Sequence, residues 1–283
     1  MKKLIFSIYY DDANNPDRRM HNYVELLQNN HKEYANCIDA EYISVIPGDD
    51  FKEFCNELTL LGMYEDVYQA LQHYKHKLIY DFSAIYDYIL YIDLDIFIQN
   101  KKNIFDFIDE NSETVYVHGF EDDLASNVQS LIKTGTLSYI PNKRSISTKK
   151  ALMNTLCKTL HRSNDQYPKY VINTGVILLN KKTIQKLNYM KNLKETKRLI
   201  DISKNSNLME HYADYIIINY SYNNESIFSF LLHKYFIDII FIGETWNYPY
   251  NHRNMNNPIP SHCNFIHLIN KKFETVFNKE STC

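Results

Sequence analysis

The sequence feature that most constrains the fold of this chain is the run at residues 88–98, YILYIDLDIFI. All its members except two carboxylates are aliphatic or aromatic, and such a run predicts a buried strand. A buried strand carries acids only where something compensates their charge. Because side chains alternate along an extended backbone, Asp93 and Asp95 are predicted to project from one face while Leu94 points back into the protein. Two carboxylates so placed favour a hard divalent cation. The return to apolar residues at 96–98 weighs against the alternative, a strand that ends in a turn with two solvated acids.

The composition argues against several classes of protein. With six glycines in 283 residues, the chain has no GxGxxG and no GxxxxGK[ST] motif, which disfavours dinucleotide-binding enzymes and P-loop NTPases. The formal charge is −3 with acids and bases interspersed, so neither nucleic acid nor an anionic membrane is expected as a partner. The five cysteines form no CxxC pair, which favours a reducing, cytoplasmic location over a zinc site or a disulfide framework. No apolar run is long enough to span a bilayer, and the oligomeric state stays open.

The remaining hydrophobic patterns predict an α/β fold. Strands are predicted at residues 4–10, 42–46, 88–98, 114–118, 171–179, 237–242 and 264–268, and helices at 18–36, 63–82, 103–109, 148–160, 182–190, 209–220 and 225–235. The alternation of strand and helix up to residue 98 predicts a mostly parallel sheet flanked by helices. Ligands of such sheets lie beyond the carboxyl ends of the strands. Asp11, Asp93 and Asp95 are all predicted to lie at such ends, on one edge.

Four short elements resemble, in this order, those of glycosyltransferases with the GT-A fold, most closely the glycogenin-like and galactosyltransferase-like family 8. They are the Asp-X-Asp segment at 93–95, Asn-X-Gly at 173–175, Trp-Asn at 246–247 and the strand FIH at 265–267. The resemblance implies a single GT-A domain over residues 1–283, with a nucleotide- and metal-binding half at 1–100 and a donor-sugar and acceptor half at 101–283. It also implies transfer of a sugar from a UDP-sugar to a hydroxyl of a saccharide or protein-linked glycan, with retention of configuration.

The resemblance further implies how a diphosphate and its metal are bound. The ion would be held by Asp93, Asp95 and His267, and an imidazole ligand moves the preference from Mg²⁺, which stays possible, towards Mn²⁺. Lys77 matches a basic position that precedes the Asp-X-Asp strand, and it would pair with Asp93 or with a phosphate. Lys272 would lie near the β-phosphate as a charge clamp. For both lysines the alternative is an ordinary solvated charge.

The residues predicted to contact the nucleotide-sugar itself are Ile8, Tyr9, Asp122, Asn173, Gly175, Asn224 and Glu225. Ile8 and Tyr9, together with Tyr10, would pack on the base, with core packing as the alternative. Asp122, Asn173 and Glu225 are the candidates for catalytic roles through contacts to the sugar. An ordinary acidic loop is the alternative for Asp122, and a helix N-cap followed by a first-turn acid is the alternative for residues 224–225.

Two other functions remain open from the sequence. A sugar nucleotidyltransferase also needs acids and a metal, but it usually carries a Gly-rich basic loop near its start, and residues 7–16 contain neither Gly nor Lys. A non-catalytic glycosyltransferase-like module that binds sugar or nucleotide is favoured by Asn224 and Asn270, which stand where the family has other residues.

Overall fold

The computed structural model describes residues 1–11, 19–120, 156–157, 171–204, 223–250, 258–269 and 272–277. The strands of this part of the chain are β1 (Lys3–Ile8), β2 (Glu41–Val45), β3 (Tyr88–Ile92), β4 (Ile96–Ile98), β5 (Thr114–Phe120), β6 (Val171–Asn180), β7 (Asp238–Phe241), β8 (Tyr248–Tyr250) and β9 (Phe265–Leu268). Its α-helices are α1 (Val24–Cys37), α2 (Asp49–Leu60), α3 (Val67–Phe82), α4 (Lys181–Leu187), α5 (Tyr189–Lys204), α6 (Asn224–Lys234) and α7 (Glu274–Phe277). Short 3₁₀ helices lie at Arg19–Tyr23, Ile104–Phe107 and Glu244–Trp246.

The strands form a larger mixed sheet and a smaller one. The larger sheet has the order β2-β1-β3-β6-β5-β7 and the smaller the order β4-β9-β8. β1 is parallel to both β2 and β3, and β5 is parallel to β7, whereas β6 is antiparallel to its neighbours β3 and β5. The predicted fold class, a mixed and mostly parallel sheet flanked by helices, is therefore confirmed.

Alternation along the central strands divides the core between the two faces of the larger sheet. Leu4 and Phe6 of β1 are buried in a cluster that includes apolar residues of α2, α3 and α6. Ile5, which points the other way, lies in a second cluster with residues of α1, β4 and β9. Helices therefore cover one face, and α1 with the smaller sheet covers the other, as the period-2 pattern of these strands requires.

The run at 88–98 is not one strand, which corrects the prediction. β3 ends at Ile92, and a turn follows in which the N–H of Ile96 donates to the carbonyl of Asp93 at 3.1 Å. The N–H of Asp93 still donates to the carbonyl of Gly175 in β6 at 2.8 Å, whereas the carbonyl of Asp95 accepts from the N–H of Leu268 in β9 at 2.9 Å. The chain thus passes from the larger sheet to the smaller one between the two acids.

Other differences concern the helices. The helix predicted at 182–190 is two helices, because Asn188 has φ of 35° and ends α4 in a left-handed conformation that Asn tolerates. Helix α5, which continues to residue 204, was not predicted. The start of α3 falls at Val67 because the Asp66 side chain caps it, accepting from the N–H of Gln69 at 2.7 Å. The helix predicted at 209–220 and most of that at 148–160 lie outside the described residues.

Among the described helices, none has both the length and the apolar character that a bilayer crossing requires. The division into a nucleotide half and a sugar half stays a prediction.

Candidate metal centre and adjoining cleft

Three potential metal ligands converge where the two sheets meet. One ligand atom each of Asp93, Asp95 and His267 lies within 4.8 Å of the others. His267 Nε2 is 3.4 Å from Asp95 Oδ1 and 3.8 Å from Asp93 Oδ2. His267 reaches this position because β9 pairs antiparallel with β4, with Ile96 opposite His267. The turn after β3, and not an extended strand, brings the two carboxylates together.

A chain of side-chain amides fixes the orientation of the His267 ring. The N–H of Gly175 donates to Asn173 Oδ1 at 2.9 Å, so this oxygen is an acceptor. Asn247 Nδ2 donates to the same oxygen at 2.8 Å, which leaves Asn247 Oδ1 to accept from His267 Nδ1 at 3.0 Å. With the proton on Nδ1, the Nε2 lone pair of the neutral ring faces the two carboxylates.

This donor set fits a divalent cation. An imidazole lone pair and two carboxylates are all electron donors, so a cation between them would stabilise their approach. The backbone of Gly175 leaves the space for it. A Cβ at this position would lie 3.0 Å from each of Asp93 Oδ2, Asn173 Oδ1 and His267 Cε1. The residues present could therefore hold an ion of the Mn²⁺ or Mg²⁺ type.

The basic residue beside the acids is Lys75, which the sequence analysis did not identify. Lys75 is 1% exposed, and its Nζ donates to Thr174 O at 3.0 Å and Thr174 Oγ1 at 2.9 Å and lies 4.0 Å from Asp93 Oδ1. The structure pairs Lys77 with Asp81 instead, at 2.6 Å. The predicted pairing of Lys77 with Asp93 is therefore wrong. The reason is helical geometry, because position 75 falls on the buried face of α3, two residues from the position that the resemblance indicated.

A cleft of about 380 Å³ adjoins the acids at the carboxyl ends of β1 and β3. Ile8, Tyr10 and Tyr91 line it together with Asp93 and Asp95, and residues of α3 form another wall. The Tyr91 hydroxyl donates to Asp93 Oδ1 at 2.6 Å, and burial raises the pKa of Tyr91 well above its usual value. The cleft thus offers both apolar side chains and carboxylates to a ligand.

Of the three residues predicted to pack on a base, the structure places Ile8 and Tyr10 along this cleft. Tyr9 turns to the other side of the strand end, where its hydroxyl lies 2.9 Å from His21 Nδ1 and its ring packs against the cluster that contains Leu94 and Phe273. Since successive side chains of an extended segment alternate, Ile8 and Tyr10 share one side and Tyr9 lies on the other.

The remaining predicted residues lie on β6, α6 and near α7. Glu225 Oε1 accepts from Thr174 N at 3.3 Å and from Asn173 Nδ2 at 3.5 Å. Asn224 is buried, and its Nδ2 donates to Thr174 Oγ1 at 3.0 Å. The N-cap of α6 is Asn223, one residue before the position considered from the sequence.

The last two predicted residues are Lys272 and Asp122. Lys272 is half-buried in the turn ahead of α7. Asp122 lies outside the described residues.

A further histidine near the centre was missed from the sequence. His118 stands at the end of β5 opposite Asn173, after an irregularity in the strand pairing. Burial lowers the pKa of His118 to about 4, with a further lowering from the nearby His267. The bulge after Val117 sets the direction of this side chain, and side-chain alternation alone does not reveal a bulge.

No family model and no curated protein matches the sequence. Solved structures to which the chain is similar are glycosyltransferases. A glycosyltransferase involved in the glycosylation of the major capsid of PBCV-1 has 12% identity and a TM-score of 0.46, over 95% of this chain and 93% of that one. The galactosyltransferase LgtC has 13% identity and a TM-score of 0.44, over 94% and 86%. Mouse xyloside xylosyltransferase 1 has 12% identity and a TM-score of 0.46, over 96% and 99%. Similarity at this level does not establish a common activity.

Proposed function

We propose that this protein is a metal-dependent glycosyltransferase that moves a sugar from a UDP-sugar to a hydroxyl acceptor. The observation that carries the proposal is the convergence of Asp93, Asp95 and His267 beside a cleft whose lining includes both acids and apolar side chains. A nucleotide diphosphate needs both kinds of surface, one for its base and one, through a cation, for its phosphates. The sequence resemblance to family 8 supports the same assignment.

The roles of the side chains follow from their contacts. Asp93, Asp95 and His267 Nε2 would hold Mn²⁺, with Mg²⁺ as the alternative. When bound, the ion would act as a Lewis acid that stabilises charge on a leaving diphosphate. Lys75 Nζ lies 4.0 Å from Asp93 Oδ1 and would place a basic group beside the bound ion and the phosphates. Ile8 would contact the base.

The donor sugar would lie against β6 and α6. Asn173 and Glu225 present polar atoms beside the triad, and their mutual contact at 3.5 Å together with Glu225's bond to the Thr174 N–H fixes their positions. These groups, with Asp122 and Lys272, are proposed to bind sugar hydroxyls or phosphate. No carboxylate is required as a nucleophile if the acceptor hydroxyl attacks from the face of the leaving phosphate and passes its proton to that phosphate. Retention of configuration is therefore part of the proposal. The acceptor would be a saccharide or protein-linked glycan.

The first experiment is hydrolysis of a panel of nucleotide-sugars without acceptor, with Mn²⁺ and with a chelator. Slow, Mn²⁺-dependent release of UDP from one donor is expected. Measurable UDP binding without any release, with acceptors supplied, would favour the non-catalytic module. The absence of UDP binding would refute the site.

Single substitutions test the metal ligands. Asp93→Ala and Asp95→Ala are each expected to abolish Mn²⁺-dependent UDP release and to leave the circular dichroism spectrum unchanged. Each substitution removes one of the ligands but no side chain of the hydrophobic core. Asp81→Ala is the matched control, because its carboxylate pairs with Lys77 on α3. Full activity in both ligand variants would contradict the metal assignment.

A further inference from the structure

The strand that carries Asp95 into the smaller sheet has little support of its own. β4 has three residues and lies at the edge of that sheet, paired with β9 on one side. The carbonyl of Asp95 and the N–H of Gln99 bond towards β9, to Leu268 and Asn264 respectively. Alternation along the strand then turns the backbone groups of Ile96 and Ile98 to the opposite edge. The Ile96 N–H already donates to the Asp93 carbonyl, but an isolated edge strand would leave the Ile96 carbonyl and both groups of Ile98 unpaired.

Two side chains of α1 occupy that opposite edge. Asn30 bonds to both backbone groups of one residue, because its Oδ1 accepts from the N–H of Ile98 at 2.7 Å and its Nδ2 donates to the Ile98 carbonyl at 2.9 Å. His31 Nε2 lies 2.6 Å from the carbonyl of Ile96 and must donate to it, since a carbonyl only accepts. Adjacent residues of a helix thus supply the hydrogen bonds that a neighbouring strand would otherwise make.

The protonation of the His31 ring and a second hydrogen bond determine which of its nitrogens donates to Ile96. His31 is fully buried, and burial lowers its pKa to about 4. The neutral ring with its proton on Nε2 leaves Nδ1 as an acceptor, which faces the Tyr42 hydroxyl at 3.4 Å. The Tyr42 oxygen is in turn 2.7 Å from Ser7 Oγ in β1. The hydrogen bonds therefore connect β4, through α1, to β2 and β1 of the larger sheet.

We infer that Asn30 and His31 are positioning residues that fix β4 against β9 and thereby set the separation of the Asp95 carboxylate from His267. Ile96, which follows Asp95 directly, pairs with His267 across the two strands, so a slip of β4 moves these two ligands apart. The inference rests on the proposed function, because it assigns the contact between α1 and β4 to the metal centre and not only to stability.

The test is Mn²⁺ titrated into the full chain at a fixed UDP concentration, with free Mn²⁺ measured by electron paramagnetic resonance and a protein-free UDP blank subtracted. Asn30→Ala and His31→Ala are expected to weaken Mn²⁺ binding by about tenfold or more, the range found when groups behind metal ligands are removed. His31→Gln, whose amide can still donate to Ile96, is expected to bind within threefold of the wild type. Melting temperatures are recorded for every variant.

The matched control is Tyr34→Phe on the same helix. The Tyr34 hydroxyl also bonds to backbone, donating to Lys102 O at 2.8 Å and accepting from the N–H of Ile104 at 3.2 Å, but this segment lies beyond β4. Tyr34→Phe should therefore lower the melting temperature and leave Mn²⁺ affinity unchanged. If the alanine variants do not fold, Asn30→Asp replaces them. It retains the acceptor for the Ile98 N–H but places a carboxylate against the Ile98 carbonyl, so weaker Mn²⁺ binding is again expected.

Wild-type Mn²⁺ affinity in the folded Asn30 and His31 variants would overturn the inference and leave the proposed function standing. A wild-type protein that binds no Mn²⁺ with UDP would overturn both.

Discussion

Gly175→Ala tests the metal centre without removing any ligand. The backbone at Gly175 does not need the left-handed region, so alanine introduces no dihedral strain. Its Cβ would lie 3.0 Å from Asp93 Oδ2, Asn173 Oδ1 and His267 Cε1, where ordinary contacts begin at 3.4 Å. Each of the three groups must therefore move by about 0.4 Å or the strand must shift by as much. The movement falls on Asp93 and His267, two of the proposed ligands, and on the Asn173 amide, which orients the His267 ring through Asn247.

The expected losses differ for binding and for stability. Metal–ligand distances vary by only about 0.2 Å in functional sites, so a shift of this size should weaken Mn²⁺ binding by about 10- to 100-fold, or about 1.4–2.8 kcal/mol. Overpacking costs about 1–3 kcal/mol of folding free energy, offset by about 0.4–1 kcal/mol because the unfolded chain loses freedom without the glycine. The variant should therefore fold, with metal affinity reduced more clearly than stability.

The assay combines Mn²⁺ titration, UDP release and urea denaturation of the same variant. Gly48→Ala is the control. Its Cβ would lie 3.7 Å from Asp50 Oδ1, which is an ordinary van der Waals distance, so no neighbouring group would have to move. Wild-type Mn²⁺ affinity and wild-type UDP release in Gly175→Ala would refute the reasoning. The space that glycine leaves beside Asp93 and His267 would then have no part in binding the ion.

Two further predictions concern buried ionisable side chains. Lys75→Ala should lower the free energy of unfolding by about 2 kcal/mol or more, because it leaves buried acceptors unpaired, whereas Lys77→Ala should change it by less than about 1 kcal/mol; equal effects in urea denaturation would contradict the assignment of Lys75. The pKa is about 4 for His31 and His118 and well below its usual value for His76, with burial the largest cause in each. The unfolded chain protonates these rings near pH 6.5 and the folded chain does not, so stability should fall as pH drops from 6.5 towards 4, by up to about 4 kcal/mol per pH unit. A urea midpoint that is the same at pH 7 and pH 5 would disprove this.

The positions of most strands along the chain and the two acids could be predicted because both depend on local patterns. Apolar runs of strand length and helical spacing gave the elements up to Phe82 except α2, and the embedded Asp93 and Asp95 were conspicuous in a buried run. The reversed direction of β6 could not be predicted, since residues 171–179 show the same apolar pattern in either direction. The turn after Ile92 was hidden for a related reason, because a strand that changes sheets remains apolar on both sides of the break.

The basic residues near the acids show a different limit. Lys77 was selected because it matches a basic position that precedes the Asp-X-Asp strand in the family that the sequence resembles. Both Lys75 and Lys77 lie on a helix, where a shift of two residues turns a side chain to another face. A signal for Lys75 was present, because it lies four residues after Leu71 and three before Leu78 on the stripe that packs into the core. A lysine on such a stripe needs partners for its charge, and that argument from burial would have located it.

The division of the ligands between two sheets explains why the site is built around a turn. Asp93 is held by its backbone bond to Gly175 in the larger sheet, and Asp95 by its bond to Leu268 in the smaller one. A continuous strand would place both acids on one rigid surface but could not bring His267, which lies on a strand of the other sheet, close to both of them. With the turn, each acid is fixed by a different partner strand, and the distance between them depends on how the two sheets are joined. The residues that join the sheets, on α1 as well as β9, therefore belong to the structural basis of the site even though none of them is a ligand.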